Sequence, residues 1–469
     1  MTYFFETYGC QMNSAESAAL VLVCKERGWT VAGDGESADL VLLNTCSVRI
    51  TAERRALGRI ALYASLKKKS AAQGRRFALV IAGCMAQRMG ESLKEKFPAV
   101  DYVMGTSSRS MFPLILEAVE KNLPPSQPFP RIAAEETPEF SFSSSHLEEG
   151  QFRSFVPIMH GCDNFCSYCI VPYVRGREVS RDPALIAEEI RLVGSRGVRE
   201  ITLLGQNVNT YNWNPNAANP HPQSPMRQSR TPSPQSDFPG LLRIAAQEAK
   251  QNGVQWLRFL AANPRDFSPE TIAVMAENPV FCRHLHLPVQ HGSNRMLAAM
   301  NRGYTRERYL ALVGDIRRAM PEISLSTDIL VGFPGETEED LEQTLALMEE
   351  VQFLYAYMYH YNPREGTAAY SLPDRIGEQV KRERLARIIV QQKKHTGILL
   401  KKRLGARERV LIEGISRKNA DELVTRTERD EMAVVPGPAS MIGSFAEITL
   451  SGLRGNTFRA KEVRLCPGD

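Results

Sequence analysis

The sequence predicts an α/β protein with an N-terminal parallel α/β domain, a central parallel β/α barrel and a small C-terminal antiparallel β-barrel. Two observations carry this prediction. Through most of the chain, apolar runs of strand length alternate with amphipathic stretches of helix length, which is the pattern of parallel sheets. After Gly405, short alternating runs are separated by Gly and Pro, which is the pattern of a small barrel.

The composition is that of a globular protein without a membrane segment. Hydrophobic residues make up 43% and charged residues 24% of the 469 residues. No apolar run reaches the length of a membrane-spanning helix, and the residues from Met1 to Thr7 lack the features of a secretory signal, so we expect a cytoplasmic protein. Nine cysteines in such a chain indicate metal or redox chemistry before disulfides. The net charge of +5 permits nucleic-acid binding without requiring it.

In the N-terminal third, three cysteines each follow a predicted strand. The predicted strands are Tyr3–Gly9, Leu40–Thr45 and Phe77–Gly83, and the predicted helices are Ser14–Arg27 and Thr51–Lys68. Parallel strands joined by helices end at one edge of a sheet, so Cys10, Cys46 and Cys84 should converge there. Gly9 and Gly83 would let the backbone approach a bulky group closely.

Three converging cysteines indicate an iron-sulfur cluster with one open iron, and the alternative is that they are small buried hydrophobes. The other cysteines outside the central domain's motif, Cys24, Cys282 and Cys466, have no comparable setting and are interpreted as structural.

The residues from about 110 to 150 are rich in Pro, Ser and Glu and predict a linker, whose core is 126–150. Beyond it, strand and helix signals alternate again. The predicted strands are Phe155–His160, Glu200–Leu204, Trp256–Leu260, His284–Val289 and Ile323–Val331. Thr337 and Asp340 predict a helix cap after the last of these strands. We therefore predict a parallel barrel with its active residues at the strand ends.

The central domain carries the most specific motif of the chain. Cys162, Cys166 and Cys169 have the spacing C-x3-C-x2-C, which can hold three corners of a 4Fe-4S cluster and leave the fourth iron open. A zinc site usually has four ligands in two pairs, and no fourth Cys or His follows closely. The alternative is three unmetallated thiols. Arg175 and Arg177 follow the motif and could clamp a carboxylate or phosphate, or form a solvated basic loop.

Residues 212–239 interrupt the barrel pattern with Asn, Pro, Ser and Gln. This composition predicts a disordered insertion, because it cannot bury enough apolar surface to become ordered. The insertion follows a strand end and should therefore emerge on the catalytic face, where a substrate lid is the alternative.

The tail begins with a predicted basic helix, Lys381–Arg403. The predicted barrel strands that follow are Glu408–Glu413, Leu423–Thr427, Met432–Val435, Phe445–Leu450 and Phe458–Val463. A small barrel with a basic approach commonly binds a nucleic-acid backbone, and the alternative is a solvated face on a structural cap.

The cysteine motif from His160 to Cys169 resembles that of the radical S-adenosylmethionine (SAM) superfamily. The segments Glu6–Asn13, Leu43–Arg49 and Gly83–Arg88 resemble the N-terminal domain of the methylthiotransferases within it, and the resemblance extends over essentially the whole chain. It implies a central partial (β/α)6 barrel and a C-terminal TRAM domain that binds RNA. The implied divisions are 1–125 for the N-terminal domain, 126–150 for the linker, 151–390 for the radical SAM domain and 391–469 for TRAM.

The resemblance also implies site residues. Cys162, Cys166 and Cys169 would hold the 4Fe-4S cluster that binds SAM, while Cys10, Cys46 and Cys84 would hold an auxiliary 4Fe-4S cluster. The implied SAM contacts are Tyr168 near the adenine, Gly205, Gln206 and Asn207 at the methionine amine, Gln290, Thr327 and Asp328 at the ribose or carboxylate, and Gly332 at the turn near the adenine. The segment Ala261–Pro264 departs from the family pattern, in which Ser-His-Pro is more usual.

The chemistry implied is methylthiolation with two SAM per turnover. One SAM would methylate sulfur at the auxiliary cluster, and the second would be cleaved to a 5′-deoxyadenosyl radical that activates the substrate carbon. The segments Leu203–Tyr211 and Gly161–Cys166 look most like the branch that modifies C2 of N6-dimethylallyladenosine at position 37 of tRNA. Threonylcarbamoyladenosine in tRNA and an aspartate of a ribosomal protein are the other substrates.

The implied partners are a tRNA anticodon stem-loop, a low-potential electron donor such as a flavodoxin or ferredoxin, and a sulfur or cluster donor. A monomer is the default. Two readings from other classes stay open at this point: a non-catalytic iron-sulfur electron carrier or RNA-binding protein, and a zinc-bound structural protein.

Overall fold

The computed structural model describes residues 1–48, 50–125, 150–215, 234–373 and 375–466. Its N-terminal part is a five-stranded parallel sheet in the order β2-β1-β3-β4-β5. The strands are β1 (Thr2–Thr7), β2 (Thr30–Val31), β3 (Leu40–Thr45), β4 (Ala78–Gly83) and β5 (Tyr102–Met104). The helices are α1 (Gln11–Glu26), α2 (Ile50–Ala72), α3 (Cys84–Met89), α4 (Ser92–Lys96) and α5 (Phe112–Glu120).

The central strands β3 and β4 are buried along their whole length, because helices cover both faces of the sheet. The three predicted strands match β1, β3 and β4 closely, and β2 and β5 extend the sheet at its edges.

The linker predicted to begin near residue 110 is wrong at its start. Residues Phe112–Glu120 form α5, and Phe112, Ile115, Leu116 and Val119 of this helix are buried against the sheet. The apolar spacing of these four side chains outweighs the nearby prolines. The core of the predicted linker, 126–150, lies outside the described residues except for Gly150.

The central part is built on six parallel strands, arranged as two three-stranded sheets in the orders β12-β9-β6 and β13-β14-β15. The strands of this part are β6 (Arg153–Pro157), β7 (Met159–His160), β8 (Val179–Ser180), β9 (Glu200–Leu204), β10 (Asn212–Trp213), β11 (Ser236–Asp237), β12 (Trp256–Phe259), β13 (His284–His286), β14 (Ser324–Val331) and β15 (Tyr355–His360). A parallel bridge between Leu257 and Phe281 joins the two sheets. This arrangement is the predicted partial barrel.

The described residues of the central part also form eight helices. They are α6 (Val171–Arg175), α7 (Pro183–Ser195), α8 (Phe238–Gln251), α9 (Pro269–Glu277), α10 (Asn294–Ala299), α11 (Arg306–Ala319), α12 (Glu338–Val351) and α13 (Glu378–Lys401). The predicted cap of α12 is confirmed as a reciprocal capping box between Thr337 and Asp340. The last helix, α13, is continuous through the predicted domain boundary at 390.

The insertion predicted at 212–239 is wrong at both ends. Asn212–Trp213 pairs with Ser236–Asp237 as a short antiparallel ladder, and Trp213 is buried in the core. Asp237 then caps α8, because its carboxylate accepts a hydrogen bond of 2.9 Å from the Gly240 amide. Residues 216–233 of the predicted insertion lie outside the described residues.

The C-terminal part is the predicted small barrel, closed in the order β16-β17-β18-β20-β19. Its strands are β16 (Arg407–Ser416), β17 (Asn419–Thr427), β18 (Met432–Pro436), β19 (Phe445–Arg454) and β20 (Thr457–Leu465). Four of its strand pairs are antiparallel, and β18 with β20 is parallel.

The small barrel docks under the N-terminal ends of the central strands. Arg426 of the small barrel forms an ion pair of 2.6 Å with Glu200, the first residue of β9, and Glu200 also accepts a hydrogen bond from Arg258 of β12. Trp256 and Phe445 pack edge to face across the same junction. The opposite, C-terminal ends of the central strands therefore stay available for a site. No helix in the described residues is long and apolar enough to cross a membrane.

Candidate active site

Cys10, Cys46 and Cys84 form the N-terminal cysteine site. In the sheet register Thr7 lies opposite Asn44, and Thr45 lies opposite Gly83, so the three strands end level with one another. The cysteines follow within three residues of these strand ends. The topology thus brings together three residues that are far apart in sequence, as the strand pattern predicts.

Close backbone packing at this edge depends on two glycines. A Cβ on Gly9 would lie 2.8 Å from the Cβ of Cys46. Gly83 has a φ of +92°, and a Cβ there would lie 2.5 Å from the carbonyl oxygen of Thr45. The two glycines therefore let the strand ends approach one another, which sets the spacing of the thiols.

Asn13 ties the start of α1 to the neighbouring strand end. Its Nδ2 donates hydrogen bonds of 3.0 Å to Asn44 Oδ1 and to the Thr45 carbonyl. Asn44 returns a 2.9 Å hydrogen bond to the Asn13 carbonyl, and the Cys10 thiol lies 3.3 Å from Asn13 Oδ1. This network ties Cys10 to the end of β3, directly before Cys46.

Cys162, Cys166 and Cys169 form the central cysteine site, on a loop beyond β6 and β7. Gly161 and Phe165 both have positive φ, and a Cβ on Gly161 would overlap the carbonyl of Arg177. The Cys169 amide donates to the Cys166 carbonyl at 2.9 Å, and Ser167 donates to the Met300 carbonyl at 3.0 Å. The loop is therefore wound tightly and anchored to the end of α10.

Arg302 contacts the central cysteine site from a distant part of the chain. Its Nη1 lies 3.2 Å from Cys166 Sγ and 3.5 Å from the Tyr168 hydroxyl, and its Nη2 donates to the Pro288 carbonyl at 3.1 Å. Sequence reasoning missed this residue, because no spacing relates it to the cysteine motif. Arg302 thus places a buried cation directly against one of the three predicted iron ligands.

Burial keeps three of these six thiols protonated at neutral pH. Burial raises the pKa of Cys162 and Cys169 to about 12 and that of Cys84 to about 11. A metal that binds there must displace these protons, so metal binding at both sites is coupled to proton release.

The predicted SAM contacts after β9 lie beside the central cysteine loop. Gln206 accepts a 2.6 Å hydrogen bond from the Gly161 amide and so helps to hold the loop. Asn207 is buried, and its Nδ2 donates to Asp266 at 3.1 Å. Its Oδ1 is buried without a hydrogen-bond partner in the described part of the chain, which fits an acceptor for a ligand's amine. Gly205 packs against Met159, where a Cβ would lie 2.6 Å from Cγ.

The predicted contacts in the second sheet divide into two kinds. Gln290 has a φ of +70° and pairs through its backbone with β14, and the Asp328 carboxylate lies 3.5 Å from His286 Nε2. Thr327 is fully buried, and its hydroxyl donates to the Leu287 carbonyl and accepts from the Val289 amide. Thr327 therefore serves the sheet, whereas Asp328 is half-buried on the face that carries His286.

Gly332 and Tyr168 also have clear structural surroundings. Gly332 has a φ of +70°, its amide donates to the Glu336 carboxylate, and a Cβ there would lie 2.5 Å from Lys381 Cγ. Tyr168 is partly buried and packs against the cluster that contains Met300 and Phe333. Both remain predictions as SAM contacts.

The loop with the departing residues Ala261–Pro264 serves the fold. Asn263 and Asn209 exchange two hydrogen bonds of 2.8 Å, and Asn263 also caps the turn at Arg265. The loop thereby fixes the segment after β9.

The last central strand was missed in the sequence. The alternation of Tyr355, Tyr357 and Tyr359 is the sequence pattern from which β15 could have been predicted. Tyr357 and Tyr359 are exposed, and the Tyr357 ring lies edge to face with His286 at 5.5 Å. Together with Asp328 they form an aromatic and polar face near the strand ends.

The predicted basic helix exposes fewer basic side chains to solvent than its sequence contains. Lys381 and Arg384 of α13 are buried, and Arg387 is held in ion pairs with Glu338 and Glu342. Lys401 and Lys402, at the end facing the small barrel, are exposed. Only part of the predicted charge is therefore available to a nucleic acid.

The two cysteine sites adjoin each other. Helix α6 begins two residues after Cys169 and packs on α3, whose first residue is Cys84. Ile170, Val174 and Cys84 form one buried cluster. One short segment therefore connects the central loop to the N-terminal site.

Both sites fit 4Fe-4S clusters by their donor chemistry. Each offers three cysteines, and thiolates are the ligands of such clusters. Among the described residues, no three His, Cys, Asp or Glu side chains converge tightly enough to hold a single metal ion. A cluster has a separate iron for each cysteine, so its ligands surround a volume instead of meeting at a point.

Three family profiles match the chain: "Uncharacterized protein family UPF0004" at residues 2–105, "Radical SAM superfamily" at 156–348 and "TRAM domain" at 401–462. A curated tRNA-2-methylthio-N(6)-dimethylallyladenosine synthase of Treponema denticola is 47% identical over 468 residues, covering 98% of this chain and 99% of the relative. The synthase of Geobacter sulfurreducens is 40% identical over 460 residues, covering 96% and 94%.

Among solved structures, the radical S-adenosylmethionine methyltransferase TsrM from Kitasatospora setae, with cobalamin and a 4Fe-4S cluster bound, matches with a TM-score of 0.58. The two chains are 15% identical, and the match covers 79% of this chain and 77% of that one. This likeness confirms the fold of the central barrel.

Proposed function

We propose that this chain, which belongs to the family of the tRNA-2-methylthio-N6-dimethylallyladenosine synthases, carries out that reaction with two 4Fe-4S clusters. It is a radical SAM methylthiotransferase that acts on tRNA, adding a methylthio group to C2 of N6-dimethylallyladenosine. The observation that carries the function is the identity of 40–47% over essentially the full length of these relatives. SAM and a 4Fe-4S cluster follow from the same family.

The number of clusters is the finer part of the proposal. Cys162, Cys166 and Cys169 would hold the cluster that binds SAM, and Cys10, Cys46 and Cys84 would hold the auxiliary cluster. The convergence of three strand-end cysteines beside the central loop supports this assignment. When bound, the clusters supply the electron for SAM cleavage and a place for the sulfur that is transferred.

The chain's own residues would hold SAM at the C-terminal ends of β9, β13 and β14. The orphaned Oδ1 of Asn207 would accept a hydrogen bond from the methionine amine. Gln206 accepts a hydrogen bond from the Gly161 amide and so holds the cysteine loop close to this acceptor. The further residues that we propose to contact SAM are Tyr168, Gly205, Gln290, Asp328 and Gly332. Thr327 would support its neighbour Asp328.

The target adenosine would enter beside the exposed face of β15. A base inside a folded anticodon loop must be turned outward to reach an enzyme's interior, and aromatic side chains commonly stack on such bases. Tyr357 and Tyr359 are exposed on this face, next to His286. The anticodon stem-loop would also contact the TRAM domain, with Lys401 and Lys402 at its entrance.

The remaining assignments follow from the reaction. A low-potential protein such as a flavodoxin or ferredoxin would deliver electrons, and a sulfur or cluster donor would replace the transferred sulfur. We infer a monomer that works in the cytoplasm, where tRNA is modified. The proposed division of the chain is 1–125, 126–150, 151–390 and 391–469.

The test is turnover on defined RNA. The protein would be reconstituted anaerobically with iron and sulfide and given SAM, a reductant and an anticodon stem-loop with either a prenylated or a threonylcarbamoylated adenosine. We expect a methylthio nucleoside, measured by mass spectrometry, only from the prenylated RNA. Product only from the other RNA would overturn the substrate, and SAM cleavage without either product would favour a protein substrate.

A further inference from the structure

Arg175 belongs to the central domain but lies in the N-terminal cysteine site. It ends α6, six residues after Cys169, and is only 4% exposed. Its Nη2 lies 3.5 Å from Asn13 Oδ1, the same oxygen that the Cys10 thiol approaches at 3.3 Å. Its neighbour Val174 packs against Cys84. The guanidinium is therefore placed among the thiols of the other domain.

Arg175 shares its buried counter-ion with a second arginine. Its Nη1 forms an ion pair of 2.6 Å with the buried Glu16, and Arg109 forms a second ion pair of 2.9 Å with the same oxygen of Glu16. Two guanidinium groups thus share one carboxylate. Buried charges are favourable only with opposite charges close by, so a further negative group beside Arg175 would be stabilised there.

The thiols supply that negative group once they bind a cluster. Arginine does not deprotonate in proteins, so the Arg175 side chain stays charged although it is buried. A 4Fe-4S core held by three thiolates has a net negative charge, and its reduction potential depends on charge and hydrogen bonds nearby. The site therefore has a buried cation matched to an anionic cluster.

We propose that Arg175 is a positioning residue of the auxiliary cluster, which offsets the cluster's negative charge and raises its reduction potential from across the domain junction. The N-terminal cysteine site is then complete only when the central domain is docked on it. This inference rests on the proposed auxiliary cluster at Cys10, Cys46 and Cys84, and it adds a residue outside the cysteine set. It predicts opposite effects for the two partners of the ion pair.

The experiment isolates the auxiliary cluster in the full chain. A background with Cys162, Cys166 and Cys169 changed to Ala would be reconstituted anaerobically, and its iron content and midpoint potential measured, the latter by redox titration followed by electron paramagnetic resonance. Into this background we would introduce R175Q, R175K and E16Q. The matched control is R177Q, because Arg177 is exposed and pairs with Asp163 on the surface.

We expect R175Q to shift the midpoint potential to more negative values and to lower the iron content, because it removes the compensating charge. R175K should shift the potential less, because lysine retains the positive charge but lacks the planar guanidinium group with its paired donors. E16Q should shift it to more positive values, and R177Q should leave it unchanged. A purely structural ion pair would lower thermal stability in R175Q and E16Q alike without shifts of opposite sign.

Equal potentials in all iron-loaded variants would overturn the role of Arg175 and leave the two-cluster enzyme standing. A background that binds no iron, with the unsubstituted chain holding one cluster, would overturn the auxiliary cluster and this inference together. R175K and E16Q keep the test decisive if R175Q fails to fold, because the shift of the midpoint potential has a predicted sign in each.

Discussion

The N-terminal and central cysteine sites offer the same number of thiols but are assembled differently. The central site lies on one tight loop, so its ligands are brought together by local backbone geometry and Gly161. The N-terminal site gathers residues from three strand ends, so it exists only when the parallel sheet is in register. A site made by a loop is defined by sequence spacing, whereas a site made by strand ends is defined by topology.

Removing one thiol from each site should give the largest and most different effects. C162A removes one corner of the cluster proposed to bind SAM, so SAM cleavage should fall by more than about 100-fold, beyond the usual effect of a neighbouring residue. C46A should keep SAM cleavage to 5′-deoxyadenosine but make no methylthio nucleoside. Both products are measured by liquid chromatography with mass spectrometry. Equal loss of SAM cleavage in the two variants would show that the sites are not separable.

The strand-end site should be more sensitive to backbone change than its surroundings. G83A forces a side chain into a backbone conformation (φ +92°, ψ −161°) that essentially only glycine adopts, which costs about 1–3 kcal/mol, and also places its Cβ against the Thr45 carbonyl. G28A also places a side chain at positive φ (+76°) but meets no atom within 4 Å. We expect G83A to lose about half of the bound iron and G28A to lose none, as measured by iron assay after reconstitution.

If G28A also lost iron, backbone strain anywhere in the N-terminal domain, and not the packing of strand ends, would control the site. Scanning calorimetry of the same variants separates these cases, since both should unfold at lower temperature than the unsubstituted chain.

The difference between the sites also explains what could be predicted from the sequence. The central motif and the strands ending before Cys10, Cys46 and Cys84 are read from local spacing and apolar runs. Arg302 and Arg175 could not be found in this way. Arg302 reaches Cys166 from the segment after α10, and Arg175 reaches Asn13 from another domain. Side chains that act through tertiary contacts leave no pattern in the sequence.

Two errors in the predicted elements have the same origin. The composition near residue 112 and near residue 213 is rich in residues typical of loops, so α5 and the ladder of β10 with β11 were not foreseen. In both places a few apolar side chains, such as Ile115 and Trp213, are buried against distant elements. Burial of that kind overrides local composition.

Arg302 should act on the central site as Arg175 does on the N-terminal one. R302Q removes the cation 3.2 Å from Cys166 Sγ, and a lost contact to a metal ligand typically lowers metal affinity or activity by 10–100-fold. We expect SAM cleavage to fall within this range while the auxiliary cluster remains. R318Q is the control, because Arg318 is exposed on α11. An unchanged rate of 5′-deoxyadenosine formation in R302Q would contradict the parallel.

The smallest change tests whether domain docking completes the N-terminal site. Thr106 follows β5, is buried, and donates a hydrogen bond to the Val174 carbonyl on α6. T106V keeps the shape but removes this bond, which should destabilise the junction by about 1 kcal/mol. If α6 must be docked to hold Arg175 beside Cys10 and Cys84, iron at the N-terminal site should fall modestly while SAM cleavage stays unchanged. If the iron content is unaffected and only the thermal midpoint falls, the sheet register alone is enough to assemble that site. The N-terminal site would then differ from the central one only in being built by backbone topology, without a contribution from the neighbouring domain.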